Sequence, residues 1–519
     1  MAAALSEQRA ASSSPSLPAD IEGYGAVVPF AGAFARTGEV TTTAVRFTAV
    51  VPGARKLLPN LRAAIAAAGL KSGAVISFHH HLRNGDQVLN AVLAECAAMG
   101  IGDLTIAASS LFPVHAPLVG HMASGVVRGI HTAYIAGPVA QAVSRGLLKT
   151  PVVMVTHGGR ARAIESGDLH IDVAFVGAPT ADEYGNVNGV QGPSACGTLG
   201  YAMVDARYAG KVIAITDNLV PYPACPIDIA QDHVDYVVRV DSIGDPQGIV
   251  SGTTRATSDP VGLQIAQTAA RVIEASGLLV DGFSFQTGAG GISLAVADAL
   301  KSVMRERGIR GSFASGGITG YLVEMLEAGL FRSLFDVQCF DLKAVDSYRR
   351  NAAHQPMSAS LYANPHNRGA VVNQLDAVIL GAAEVDLDFN VNVSTGADGT
   401  ILGGSGGHAD CAAGAKISIV TTRLNAGKNA KVVERVTTVT TPGETIDVVV
   451  TDGGVAVNPR RADLVQRLRE RDIDVVPIEA LAARARATAP AVAPERCGRI
   501  VGVVEYRDGS VIDVIRAAE

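Results

Sequence analysis

The chain has 519 residues, 48% of them hydrophobic and 18% charged, with 56 glycines and no tryptophan. That size suits two or three domains with sizeable cores, and that composition excludes disordered and collagen-like classes. Forty-three basic against 49 acidic residues leave a formal charge of −6, too small and too dispersed for a phosphate-backbone footprint, so nucleic acid is not an expected partner.

Residues 1–19 are rich in Ala, Ser and Pro and read as a flexible N-terminal arm. They lack the basic start and sustained apolar run of a signal peptide. No uncharged apolar stretch reaches the roughly 18 residues of a membrane span. Six cysteines without a CxxC pair suggest neither a zinc ribbon nor a disulfide framework. A cytoplasmic protein, off the membrane, is expected.

Beyond the arm, short β-rich runs alternate with helical patterns. Residues 74–78 (AVISF), 104–108 and 152–156 (VVMVT) read as strands and 87–99 as an amphipathic helix. This alternation predicts an α/β fold with mainly parallel sheets flanked by helices, whose ligands sit at the carboxyl ends of the strands. An internal repeat sharpens the picture. When 171–188 (IDVAFVGAPTADEYGNVN) is laid over 375–392 (LDAVILGAAEVDLDFNVN), Asp, Gly, Ala, Asp and the final Asn-Val-Asn fall in step. Two related α/β domains follow, 20–245 and 246–519. The second includes a C-terminal extension with strand-like runs at 446–451 and 501–505, a charged helix at 461–471 and a surface connection at 480–494.

Several loops could carry chemistry. Segment 77–86 (SFHHHLRNGD) follows a strand and precedes a helix. Consecutive histidines on an extended loop point in alternating directions, which fits a metal poorly. A structural loop, or recognition of an anionic substrate by His79, His80 or Arg83, fits better, Arg matching a carboxylate with its fork. His157 and Arg160 end a strand in THGGR and either face the ligand edge or sit buried and satisfied. Segment 286–292 (QTGAGGI) sets Gly288, Gly290 and Gly291 before a helix, where backbone N–H groups meet an anion or oxyanion, although a tight turn asks for the same residues. Segment 403–410 (GGSGGHAD) carries Gly403, Gly404, Gly406, Gly407, His408 and Asp410, more glycine than one turn needs. Around Ser315 and Gly316 (ASGGITG) there is no GxSxG elbow, so a hydrolase triad is unsupported.

SFHHHLRNGD, QTGAGG, GGSGGHAD and the long segment FASGGITGYLVEMLEAGLFRSLFDVQCFD from Phe313 together resemble the citrate lyase alpha subunit family, and the likeness runs from Gly23 to Pro459. The resemblance implies two CoA-transferase-type domains. It implies exchange of acetate for citrate on an acyl-carrier (gamma) subunit whose thiol belongs to a phosphoribosyl-dephospho-CoA group, or on acetyl-CoA. It also implies a separate lyase (beta) subunit, a hetero-oligomer, no covalently bound cofactor and no metal in this chain. Other transferases of similar fold carry a glutamate that takes up CoA covalently, in one branch eight residues before the acid of a DLVEKG-like helix. Counting back from Glu324 reaches Gly316, and 314–320 contains no carboxylate.

The expectation is therefore direct attack of a citrate carboxylate on the thioester. Gly288, Gly290, Gly291, Ser315 and Gly316 would lie at the reacting centre, with His79, His80, Arg83, His157 and Arg160 as citrate ligands. Segment 403–410 would meet the prosthetic-group arm. A citramalate lyase transferase subunit and a scaffold docking carrier and lyase subunits are the alternatives.

Overall fold

Two large, mostly parallel sheets, one for each copy of the repeat, organise the chain. The computed structural model describes residues 17–35, 40–47, 51–250, 255–489 and 498–518, so the expected arm lies almost wholly outside the described residues. In the first half the elements are β1 (Leu57–Leu58), β2 (Val75–Phe78), α1 (Val88–Ala98), β3 (Leu104–Ala108), β4 (Val127–Thr132), β5 (Val152–Met154), α2 (His157–Ser166), β6 (Val173–Ala178), the hairpin β7 (Thr180–Asp182) and β8 (Val187–Asn188), α3 (Gly200–Tyr208), β9 (Lys211–Thr216) and β10 (Tyr236–Arg239). In the second they are α4 (Pro260–Ala275), β11 (Ser284–Thr287), α5 (Gly291–Arg307), β12 (Gly311–Ile318), α6 (Gly320–Glu327), β13 (Phe331–Cys339), β14 (His354–Pro356), α7 (Ala359–Ala363), β15 (Ala377–Gly381), the hairpin β16 (Glu384–Val385) and β17 (Val391–Asn392), α8 (His408–Gly414), β18 (Ile417–Thr421), β19 (Val448–Thr451), β20 (Gly454–Val457) and α9 (Ile478–Thr488). A last hairpin, β21 (Ile500–Glu505) and β22 (Val511–Arg516), closes the chain.

The first sheet runs β22-β21-β5-β4-β3-β2-β6-β9-β10-β1 and the second β14-β13-β12-β11-β15-β18-β19-β20. Only β21–β22 and β19–β20 are antiparallel neighbours within them. Helices cover both faces of a parallel sheet, so its strands carry apolar side chains on both sides. β3, LTIAA, is buried at every position, as a continuous apolar run requires. Among the described residues no helix is long and apolar enough to cross a membrane.

The sequence repeat is a structural repeat. Asp172 Oδ2 accepts from Val75 N at the start of β2, and Asp376 Oδ2 accepts from Ser284 N at the start of β11, both at 2.8 Å. Asp182 holds the β7–β8 turn through the backbone N–H groups of Tyr184, Gly185 and Asn186. Asp386 holds the β16–β17 turn through those of Asp388 and Asn390. Asn188 and Asn392 then cap the following turns. These matches are local turn chemistry in which a short polar side chain satisfies nearby backbone donors, and they recur because the hairpin geometry recurs.

Two expectations about the C-terminal extension are corrected. The run 501–505 does not complete the second half: β21 pairs in parallel with β5, Val503 opposite Val153, and so extends the first sheet. Nor is 480–488 a surface connection. It forms α9, which buries Ile478, Leu481, Ala482 and Ala485, an i, i+3, i+4, i+7 stripe.

Candidate active site

The carboxyl end of β2 delivers the histidine loop to the junction between the halves. The His80 carbonyl accepts the backbone N–H of Arg83 at 2.9 Å and Nε2 of Gln338, from the end of β13, at 2.7 Å. Arg83 adopts φ +50°, a left-handed conformation that a bulky residue holds only when its surroundings compel it. Its guanidinium lies 5.3 Å from the Phe112 ring centroid and 4.7 Å from that of Phe340. One ring belongs to each half, so a cation is fixed across the junction.

His79 and Arg160 are engaged elsewhere. Arg160 from α2 grips Asp205 of α3 at 2.8 and 2.6 Å, and His79 Nε2 lies 2.9 Å from Asp205 Oδ2. All three side chains are buried. Burial alone would raise the Asp205 carboxyl, but the Arg160 guanidinium and His79 outweigh it and hold it well below the usual range. The Arg160 charge has its partner in Asp205, against which His79 also lies, and removing Asp205 would strand a buried arginine.

His80 stacks on Tyr201 at a ring distance of 4.7 Å, and His157 lies tilted against the same ring at 4.6 Å. Burial, with His157, His81 and Arg83 adding to it, pushes the His80 imidazole well below its ordinary value. Burial and then Arg160 push His157 down to about 3. Both are therefore neutral at pH 7. His80 Nδ1 meets Ser109 Oγ at 2.6 Å and its Nε2 meets Ser110 Oγ at 3.4 Å, while His157 Nδ1 is buried without a hydrogen-bond partner among the described residues.

The second half contributes the ends of β11 and β12. Gln286 donates through Nε2 to Tyr362 Oη and Cys411 Sγ, both at 2.8 Å, while its Oε1 accepts from Ser315 Oγ at 3.1 Å. Gly316 has φ +101°, and a Cβ there would approach the Gln286 amide carbon to 2.8 Å. A side chain at 316 would be strained by the backbone conformation and would have to displace the Gln286 amide.

The loop 288–291 is open. None of Gly288, Gly290 and Gly291 has a positive φ. A Cβ on Gly288 or Gly290 would meet nothing closer than 3.5 Å. Turn geometry does not explain these glycines. Gly290 is exposed and stands as N-cap of α5, 17 residues long, with no side chain capping the helix, so the first amides remain available to an anion.

The loop 403–410 behaves differently. Gly406 N donates to the Ala133 carbonyl at 3.0 Å, and the Gly406 carbonyl accepts from His157 N at 2.8 Å. A Cβ on Gly403 would lie 2.5 Å from the Val393 carbonyl, while one on Gly404 would strike Ala133 and one on Gly407 the Tyr362 hydroxyl. His408 bridges Thr441 Oγ1 at 2.8 Å and the Gly381 carbonyl at 2.9 Å. Asp410 accepts from Thr156 Oγ1 and Gly158 N, each at 2.9 Å. Gly404 thus answers to close backbone approach from the first half, and Gly403 and Gly407 to neighbours within the second.

Known proteins match this arrangement over nearly the whole chain. The family model described as citrate lyase, alpha subunit, matches residues 54–518. The citrate lyase alpha chain of Klebsiella pneumoniae is 50% identical over 463 residues, 89% of this chain and 91% of that protein. The chain belongs to the citrate lyase alpha subunit family. A crystal structure from Streptococcus mutans, described as an alpha subunit of citrate lyase in complex with citrate, superposes with a TM-score of 0.92 at 48% identity, covering 94% of this chain and 96% of that one. A 4-hydroxybutyrate CoA-transferase from Porphyromonas gingivalis shares the fold, with a TM-score of 0.55 at 20% identity over 83% of this chain and 97% of that one. As a citrate lyase alpha subunit, the chain is the CoA-transferase component.

Asp205, Gln286 and Gln338 escaped the sequence reading, and the two glutamines had a signal. In FSFQ and FDVQC each glutamine interrupts an apolar strand at its carboxyl end, where ligands of parallel sheets sit. Asp336, Cys339 and His354 form the one group of metal-ligand types within mutual reach among the described residues. The same Asp336 Oδ2 accepts from Cys339 Sγ and meets His354 Nε2, each at 3.0 Å, so the cluster satisfies itself in this alpha subunit. The surface hollows beside Pro459 and beside Arg486 involve none of the junction residues.

Proposed function

We propose that this alpha subunit exchanges acetate for citrate on an acyl thioester by direct carboxylate attack. The observation that carries the reading is Gly316: at the strand end that would bear a nucleophilic glutamate there is a glycine, at a φ of +101° that disfavours any side chain and against the Gln286 amide. The carboxylates of the surrounding walls are engaged in structure. Asp205 holds Arg160, Asp336 holds His354, Asp410 caps α2, and Glu324 pairs with Lys301 and Lys343.

In the proposed reaction a citrate carboxylate oxygen attacks the acetyl carbonyl, the C–O bond forms, the C–S bond breaks and the thiolate leaves. A mixed anhydride results. The thiolate then attacks its citryl carbonyl, the C–S bond re-forms, the anhydride C–O bond breaks and acetate departs. Protons balance without a general base, because the attacking carboxylate is already ionised. What remains for the protein is alignment and oxyanion stabilisation. Arg83 suits a carboxylate of citrate, with neutral His80 and His157 beside it. The open amides at the start of α5 suit the oxyanion.

The thioester donor is the phosphoribosyl-dephospho-CoA arm of an acyl-carrier (gamma) subunit, with acetyl-CoA as a soluble surrogate. The product would pass to a lyase (beta) subunit in a hetero-oligomer, a reading supported by the names of the relatives. The test is to incubate the full chain with acetyl-CoA and citrate. Formation of citryl-CoA supports transfer and rejects a pure scaffold. A glutamyl adduct trapped by hydroxylamine or borohydride on this chain would sink direct attack.

A further inference from the structure

Gln338 ends β13 with its side chain wholly buried. Its Nε2 donates to the His80 carbonyl at 2.7 Å, and this bond settles which way the amide faces, since the reverse orientation would set oxygen against oxygen. Oε1 therefore points away from His80, and it has no hydrogen-bond partner among the described residues. A buried amide oxygen left without a donor is costly, and such exceptions ask for an occupant.

Its position says where that occupant sits. The His80 carbonyl that anchors Gln338 also accepts the Arg83 backbone N–H, at 2.9 Å, so Gln338 is pinned to the turn that presents Arg83. On its other side it lies opposite Gly317 of β12, one residue beyond Gly316. Gln338 thus stands between the turn that presents Arg83 and the strand end proposed for acyl exchange.

The chemistry of the substrate then selects the contact. At neutral pH citrate carries ionised carboxylates, which are acceptors and are repelled by an amide oxygen. Its hydroxyl is the group with a hydrogen to donate. We propose that Gln338 is the residue that recognises the substrate hydroxyl, so that the site selects 2-hydroxy polycarboxylates over their deoxy analogues. This rests on the transfer of citrate proposed above and adds its specificity. A site built to bond a hydroxyl rejects the compound lacking it strongly, because its own polar group is then stranded.

The test compares citrate with propane-1,2,3-tricarboxylate, the same skeleton without the hydroxyl, using the full chain and acetyl-CoA. The wild-type chain should prefer citrate in kcat/KM by about 100-fold or more. In Gln338→Met that preference should shrink to below about tenfold, because citrate turnover falls at least about tenfold more than that of the deoxy compound. Equal losses for both compounds would mean that Gln338 only positions the His80–Arg83 turn and would overturn the assignment. A wild-type ratio near one would overturn it without recourse to any variant. A crystal structure with citrate gives a second readout: a hydroxyl oxygen beyond about 4 Å from Gln338 Oε1 refutes the contact. If the wild-type chain forms no citryl thioester at all, the functional reading falls and takes this assignment with it. Citrate turnover with unchanged discrimination removes the assignment alone.

Discussion

The backbone N–H of Gly158, in the first turn of α2, donates a 2.9 Å hydrogen bond to Oδ2 of Asp410 in α8. Thr156 Oγ1 is the local cap of α2, accepting from Gly159 N at 2.7 Å, and the carboxylate from the second half adds to it, its Oδ1 accepting from Thr156 Oγ1 at 2.9 Å. Arg507, from the strand hairpin that closes the chain, approaches Asp410 to 3.5 Å and donates to the Ala363 carbonyl at 2.9 Å. The start of α2 is thus a joint between the halves and is already occupied by an anion. Asp410→Asn should weaken it by about 1–3 kcal/mol, since the new amide N–H₂ would face one of the two donors, Thr156 Oγ1 or Gly158 N. Thermal unfolding of the purified variant checks this, and an unchanged midpoint would show that the joint contributes little.

Glycines of the same apparent motif type should respond in opposite ways. A Cβ on Gly158 would run into the Ala363 carbonyl and lie 2.7 Å from Asp410 Oδ1, so Gly158→Ala should destabilise the fold. Gly290 has φ −71° and ψ 147°, a region that β-branched residues adopt readily, and open space beside it. Gly290→Val should keep the wild-type unfolding midpoint while abolishing acyl transfer, because the side chain would occupy the approach to the α5 amides. Full transfer activity in a folded Gly290→Val chain would remove the loop from the proposed mechanism.

Acid should destabilise the protein before it protonates ordinary carboxylates. Burial is the leading cause that lowers His157 to about 3 and His131 and His408 each to about 4. Between those values and the unfolded value near 6.5 the unfolded chain binds more protons, so stability rises with pH across that window. Burial raises Asp386 and Asp410 each to about 6, which acts in the reverse sense between about 4 and 6. At pH 5 each histidine costs about 2 kcal/mol relative to pH 7, and each aspartate returns about 1 kcal/mol. The net loss, about 3–4 kcal/mol, should appear as a lower unfolding midpoint at pH 5 than at pH 7. A flat profile would mean that these imidazoles are not held neutral.

The legible features were those written in local chemistry. Asp182 and Asp386 stand at the same place in two turns because each satisfies the backbone donors within four residues of itself, a need visible in eighteen residues of sequence. The pairing of β21 with β5 joins residues about 350 apart, and an alternating apolar run carries no address for its neighbour. The same limit hid Asp205. Its side chain answers Arg160 and His79 across the fold, so the charges of THGGR and SFHHHLR looked available until their partner was placed. The 403–410 glycines read as a ligand loop in composition, and the approach of the Ala133 and Val393 carbonyls to Gly404 and Gly403 could be seen only once the fold had placed them.

Arg83, set between one aromatic ring of each half, is the cation that the proposed reaction assigns to citrate. Its φ of +50° is equally demanding of any long side chain, so Arg83→Lys leaves backbone strain unchanged and keeps the charge. What it removes is the planar fork, which lies between Phe112 and Phe340 and matches a carboxylate with two parallel bonds. The kcat/KM for citrate should fall by about 100-fold, roughly the worth of a buried charge-assisted bond of 2–3 kcal/mol. The KM for acetyl-CoA should be unaltered, because the thioester is placed against α5 rather than against this loop. Steady-state kinetics with each substrate varied in turn separate the two. A rise confined to the acetyl-CoA KM would assign Arg83 to the thioester side and leave citrate without its cation.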